Sequence, residues 1–355
     1  DALAQLPDGV RTDAATSWCP VDLIAALEGQ APPPATLFTR DDGVALLYPG
    51  RVHWFWGESE SCKSWAAQYA TAQILDAGGR ACWIDYEDDE GSLVERLRAM
   101  GLTTDRISQG LVYVRPDEPL ADHQGRPAPA ARDFAALLRQ PFSLAVIDGI
   151  TEAMVTEGLD LNDNADTAAF MRRLPRPFAD AGAAVVCVDH VTKAGDQRGH
   201  YAIGAQHKRA GISGAAYAFK VSRPLHRAVG ADPVEAAITI TVEKDRPGHV
   251  RAAAIDARVA TMNITAYPDG GITVALVAPT ERPEAPPPKL LEAILGHLRL
   301  YDGASGRNIL EGVSGNTETI RAALKWMAAQ EPPWICATKK GNAHLHFLTD
   351  EGRER

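Results

Sequence analysis

The chain of 355 residues is too long for one average domain, and its apolar and charged fractions, 45% and 23%, are those of an ordinary globular protein. A formal net charge of −10 excludes binding to nucleic acid through bulk positive charge, so any DNA contact must come from local basic patches or from a channel shared by several subunits. No apolar run reaches the ~20 residues of a membrane span, and five scattered cysteines without CxxC spacing predict reduced thiols in a cytoplasmic protein.

Residues 1–35 are irregular, stopped by Pro32-Pro33-Pro34, and read as an N-terminal arm. From residue 36 strands and helices alternate. An aromatic strand at 51–56 runs through a glycine turn into a helix at 64–77. A strand at 81–86 precedes a charged helix at 91–100. A short strand at 111–114, a helix at 131–139, an apolar strand at 144–147, a helix at 165–181 and an apolar strand at 183–188 follow. Continuous apolar runs separated by helices predict a parallel sheet covered on both faces. Strands at 215–221, 237–243 and 252–259 extend it with antiparallel members. The core therefore spans 36–278. Residues 279–288 hold five prolines in ten positions, the composition of a semi-rigid linker. In 289–355, helices at 289–300, 307–312 and 316–329, the last capped by Ser314 or Asn316, precede a hairpin around Lys339-Lys340-Gly341-Asn342. That is the order of a winged helix-turn-helix.

The chemistry concentrates in Gly57-Glu58-Ser59-Glu60-Ser61-Cys62-Lys63-Ser64, followed by Trp65. A glycine turn between strand and helix that ends in Lys-Ser is the context of a Walker A loop, whose backbone N–H groups hold phosphate at a helix N-terminus. Lys63 reaches the β and γ phosphates of ATP in this reading, and the Ser64 hydroxyl ligates Mg²⁺. Asp148 ends an apolar strand, the Walker B pattern, where its carboxylate serves Mg²⁺ and bonds Ser64. The acid cluster from Asp85 to Glu90 falls at the C-terminal end of a strand, the edge where open α/β sheets bind ligands. Within it Glu87 is the candidate base, Asp89 and Glu90 read as helix-capping acids, and Asp88 fits either use. Cys62 stands where the motif has glycine. A left-handed turn there costs a residue with a Cβ ~1–2 kcal/mol, which predicts weak ATP binding, slow turnover or an altered loop. Alternatively, the thiol beside Lys63 has a lowered pKa and acts as an oxidation switch.

Together the Walker A loop, Ile84-Asp85-Tyr86-Glu87-Asp88-Asp89, Val146-Ile147-Asp148-Gly149 and Val188-Asp189-His190 resemble the RecA-like P-loop ATPases, and among them the hexameric replicative helicases of the plasmid RepA kind. Tyr48-Pro49-Gly50-Arg51 and the stretch 198–204 are similar to actinobacterial and phage AAA-type ATPases. The resemblance implies that Glu87 is the catalytic glutamate and His190 the γ-phosphate sensor. It also implies that Lys244 and Arg246, in Lys244-Asp245-Arg246, act on the ATP of a neighbouring subunit in a ring, with single-stranded DNA at the pore. Gln206-His207-Lys208-Arg209 fits either a pore loop or a solvated basic loop.

Residues 289–355 carry nine Lys/Arg against eight Asp/Glu, short of a strongly basic footprint, so a duplex-binding role and a protein-binding role both fit. The leading reading is an ATP-hydrolysing ring that acts on DNA in replication of a plasmid or other mobile element. The rival is a nucleotide-binding regulator whose ATPase is impaired by Cys62. A small-molecule kinase fits poorly, because nothing resembles an acceptor lid.

Overall fold

The computed structural model describes residues 23–27, 33–190, 211–226, 232–280, 285–330, 332–340 and 343–355. Most of the predicted arm, the stretches 198–204 and 206–209, linker residues 281–284 and Gly341-Asn342 lie outside the described residues. The chain divides after Val277 into two compact units.

The first unit opens with a helical turn, α1 (Ile24–Leu27), and a hairpin of β1 (Leu37–Thr39) and β2 (Ala45–Leu47). Next come β3 (Val52–Gly57), α2 (Lys63–Asp76), β4 (Ala81–Asp85), α3 (Glu90–Ala99), α4 (Thr104–Gly110) and β5 (Leu111–Val114). They are followed by α5 (Ala130–Leu138), β6 (Leu144–Asp148), α6 (Ile150–Thr156), α7 (Asn164–Arg173), α8 (Pro175–Asp180) and β7 (Ala184–His190). The unit closes with β8 (Ala215–Arg223), β9 (Val234–Asp245), α9 (His249–Ala252), β10 (Arg258–Ala266) and β11 (Ile272–Val277).

Nine strands form one sheet in the order β11-β10-β9-β8-β3-β7-β6-β4-β5. From β5 to β8 every pairing is parallel, and from β8 to β11 every pairing is antiparallel. Strands β3, β4 and β6 are buried at every position, because helices cover both faces. Their side chains alternate between two cores: Phe55, Trp83 and Val146 enter one, and Trp54, Trp56, Ile84 and Ile147 the other. Trp54 is fully buried, so its truncation to alanine costs about 3–5 kcal/mol. This parallel stack aligns the ends of β3, β4, β6 and β7 along one edge: Gly57 is level with His190, and Asp85 with Asp148.

Several sequence expectations are corrected. The helix expected at 165–181 breaks into α7 and α8, since Pro175 and Pro177 lack the N–H that a continuous helix needs. The strand expected at 252–259 is instead the end of α9 and a turn with Asp256 and Ala257 at positive φ, and β10 begins only at Arg258. The strand at 215–223 is parallel to β3, not antiparallel.

In the second unit, α10 (Pro288–Leu300), β12 (Ala304–Ser305), α11 (Gly306–Gly312) and α12 (Thr317–Ala328) precede the hairpin β13 (Ile335–Lys340) and β14 (Ala343–Leu348) and a last turn, α13 (Asp350–Glu354). Asn316 caps α12 by accepting from Glu318 N. Ile294, Leu298, Ile309, Ile320, Met327 and Ile335 form its own small core. A short third strand, β12, joins the expected ribbon. Among the described residues no helix is long and apolar enough to cross a membrane.

Candidate nucleotide site

The fully buried β3 delivers the loop at Gly57, and the position tolerates nothing larger. A Cβ there would lie 2.6 Å from Ser61 Oγ and 2.7 Å from the Phe219 carbonyl. Glu60 (φ 63°) and Cys62 (φ 64°) both take the left-handed conformation, the kind of alternation that curls successive N–H groups into an anion-binding nest. Cys62 therefore adopts the turn that glycine normally supplies, and the loop is not unravelled by it. Its sulfur sits 3.9 Å from the Glu60 carbonyl and packs with Trp65 against the core. Burial raises the thiol pKa more than Lys63 lowers it, so the alternative of a thiolate switch is corrected.

Lys63 opens α2 and is buried. Its ammonium donates to the carbonyls of Gly57 (3.1 Å) and Glu58 (2.8 Å) and to Ser61 Oγ (3.2 Å). Desolvation pulls its pKa down, while Glu87, Asp148 and Asp189 favour the charged form. One residue on, the Ser64 hydroxyl donates to Asp148 Oδ1 at 3.2 Å, joining α2 to the end of β6. Burial, with Glu87 and Asp85 nearby, pushes the Asp148 carboxyl up to about 7. This hydroxyl and carboxylate are hard oxygen donors side by side. They match Mg²⁺, which takes one or two protein ligands and keeps waters or phosphate oxygens for the rest.

At the end of β4 the buried Asp85 accepts from the backbone N–H of Glu87 (3.0 Å) and Asp88 (2.8 Å), which turns the chain so that Glu87 faces the cleft. Lys63 Nζ lies 3.4 Å from His190 Nδ1, and His190 Nε2 lies 3.1 Å and 3.2 Å from the two Glu87 oxygens. With Nδ1 accepting from Lys63, Nε2–H donates to Glu87. That hydrogen bond holds the Glu87 carboxyl below its ordinary range and raises the His190 pKa. Asp89 caps α3 by accepting from Ser92 N (3.0 Å), and Asp88 pairs with Arg96 at 3.6 Å. Arg96 also lies over the Trp65 ring, 5.4 Å from its centroid. The cleft enclosed by the Walker loop, Asp85–Asp89, Asp148 and His190 holds about 240 Å³.

Lys244 and Arg246 are not in this cleft. Lys244 is level with Ala216, which is level with Trp54, three residues before Gly57. At ~3.3 Å per residue this is about 10 Å toward the opposite edge of the sheet. There the two side chains converge on the Ile212 carbonyl, at 3.1 Å and 3.3 Å. Between them Asp245 accepts from Tyr48 OH (2.9 Å) and Arg251 N (2.8 Å). The Tyr48 N–H donates to Nε2 of the fully buried His53 (2.9 Å), whose Nδ1–H meets the Val185 carbonyl at 3.2 Å.

Sequence reasoning passed over Gly149, Arg96 and the turn-forming role of Asp85. Gly149 had a signal, as the residue right after the Walker B acid. Its φ is 88°, and a Cβ would lie 2.7 Å from Glu87 Cγ.

The chain matches the family described as AAA domain over residues 19–196. Among solved structures it is similar to flagellar accessory protein FlaH from Methanocaldococcus jannaschii, at 12% identity and a TM-score of 0.44, over 67% of this chain and 95% of that one. No curated protein matches it.

Proposed function

Because the chain belongs to the AAA domain family and its core is a RecA-like P-loop ATPase, we propose that it hydrolyses ATP with Mg²⁺ in a ring of subunits that acts on DNA. The observation that carries the reading is the chain Lys63–His190–Glu87 set above the Ser64–Asp148 pair in one cleft. Lys63 and the loop N–H groups bind the phosphates, and Ser64 and Asp148 hold Mg²⁺, which supplies positive charge to the phosphate oxygens. Glu87, kept ionised by His190, orients the attacking water and takes its proton, a role worth about 10²–10⁴ in rate. His190, touching both Lys63 and Glu87, registers whether the γ-phosphate is present.

The position of Lys244 and Arg246 on the far edge supports action in trans. They cannot serve their own cleft, yet a neighbour's cleft facing that edge would receive two cations from one strand end. We take the second unit as a winged helix that holds duplex DNA. Its support is a groove of about 870 Å³ whose lining includes Arg307, Arg321, Lys325, His344 and His346 and no acid. The resemblance to plasmid replicative helicases points to replication of a mobile element as the setting. The rival regulator reading leans on Cys62, which adopts the left-handed turn while the strand–loop–helix frame stays intact around it.

The test is ATP turnover with and without single-stranded DNA, alongside mass in solution with ATP. The expected result is DNA-stimulated hydrolysis, abolished by Glu87→Gln, from a particle several times the 38.1 kDa chain. Turnover indifferent to DNA from a monomer overturns the ring reading.

A further inference from the structure

The motif Tyr48-Pro49-Gly50-Arg51 has no part in the nucleotide cleft, yet its tyrosine bonds to the strand end that carries Lys244 and Arg246. Tyr48 is fully buried, and its ring stacks on His53 with centroids 5.9 Å apart and planes 9° apart. Its hydroxyl accepts from Val250 N at 3.0 Å, which leaves its own proton for Asp245 Oδ1 at 2.9 Å. Arg251 adds two bonds, from its N to Asp245 Oδ2 at 2.8 Å and from Nη2 to the Glu243 carbonyl at 3.1 Å. Glu243 is the extra residue of a β-bulge: Val242 is level with Tyr217 and Lys244 with Ala216, so no residue of β8 stands opposite it. A bulge re-aims the side chains beside it. Past this one the strand alternates. Asp245 turns to Tyr48, while Lys244 and Arg246 turn to the Ile212 carbonyl. The segment that offers this carbonyl is fixed in its turn. Ser213 Oγ accepts from Val52 N at 2.9 Å, and a Cβ on Gly214 would lie 2.4 Å from His53 Nε2. Both sides of the strand end are therefore braced against one buried histidine.

We propose that Asp245, held by Tyr48, is a positioning residue for ATP hydrolysis in the adjoining subunit: it fixes the bulged end of β9 so that Lys244 and Arg246 cross the interface as one preset pair. This rests on the reading that Lys244 and Arg246 act in trans. Asp245 acts through those two cations and not on the nucleotide itself. Without its anchor the bulge is gripped on one side less. Two long side chains would then have to be ordered during the reaction, at a cost in conformational entropy.

The test uses mixed oligomers of a Lys63→Ala chain and an Arg246→Ala chain, in which a working interface joins the cleft of the second to the cation pair of the first. Asp245→Ala is added to one chain at a time. In the Lys63→Ala chain, which supplies the cations, it should lower the recovered turnover about tenfold to hundredfold, the effect of misplacing a catalytic group by about 1 Å. In the Arg246→Ala chain, which supplies the cleft, turnover should stay within about twofold, which also shows that the altered chain folds and assembles. A merely structural role would lower both alike. Tyr48→Phe keeps the ring and removes only the hydroxyl, and it should show the same one-sided loss in smaller measure. Equal losses in the two placements of Tyr48→Phe, or no loss in either placement of Asp245→Ala, overturns the inference. No recovery in the mixed oligomers before either change is added overturns the trans reading, and this inference with it.

Discussion

The two edges of the central sheet carry polar residues of the same kinds and use them in opposite ways. At the edge where β3, β4, β6 and β7 end, Lys63, His190 and Glu87 bond in a chain and Ser64 bonds Asp148 around an open cleft. Burial shifts Lys63 and Asp148 most, whereas Glu87 and His190 are shifted most by the hydrogen bond between them. At the other edge His53 is fully buried and satisfied at both nitrogens, by Tyr48 N and Val185 O, and Tyr48 and Arg251 tie down Asp245. The first arrangement leaves charge ready to meet a ligand. The second fixes a strand end so that Lys244 and Arg246 leave it in a set direction. A parallel sheet makes this division natural, because all its strand C-termini lie on one side.

Each half of the comparison can be broken separately. The largest effect is expected at the reactive edge: Glu87→Gln should cut turnover by about 10²–10⁴ while ATP affinity, measured by titration, stays within twofold. Arg246→Ala should cost about 10²–10³ in turnover, although the residue lies outside its own cleft, and nucleotide affinity of the isolated subunit should not change. The bracing edge is tested by acid. Burial holds His53 down to about 4, below the ordinary 6.5. The unfolded chain therefore takes up this proton first. The neutral ring's contribution is complete above pH 6.5 and is lost as pH falls to about 4, for a total of about 3 kcal/mol. Urea unfolding between these values should show that loss, and His53→Gln should flatten it. Smallest is Cys62→Gly. Cys62 holds the left-handed turn within the fold, so its strain is carried in folding. The glycine variant should gain ~1 kcal/mol of stability, and its ATP affinity should rise by less than the tenfold expected had binding forced the turn. A full tenfold gain would show that the loop rearranges on binding.

How much of this was legible in the sequence follows from what each signal depends on. The Walker residues, Asp148 and Glu87 could be read because they occur at strand ends, and apolar runs mark strand ends plainly. Cys62 could be read because glycine at that position answers a local backbone demand. The closeness of Gly149 to Glu87 could not: it exists only because β4 and β6 are neighbours, a fact of sheet order that no local pattern carries. The placing of Lys244 and Arg246 likewise needed the β8–β9 register. The misread strand at 252–259 failed for another reason, since a short alanine-rich run has no periodicity to tell a helical turn from a strand.

The central claim, that one subunit's bracing edge completes its neighbour's reactive edge, is tested most directly by mixing two inactive chains. Lys63→Ala spoils the cleft and leaves the far edge intact, and Arg246→Ala does the reverse. In mixed oligomers, verified by mass, some interfaces pair an intact cleft with an intact Arg246. ATP turnover should then reappear at a fraction of the parental rate. No turnover in verified mixed oligomers would contradict the account.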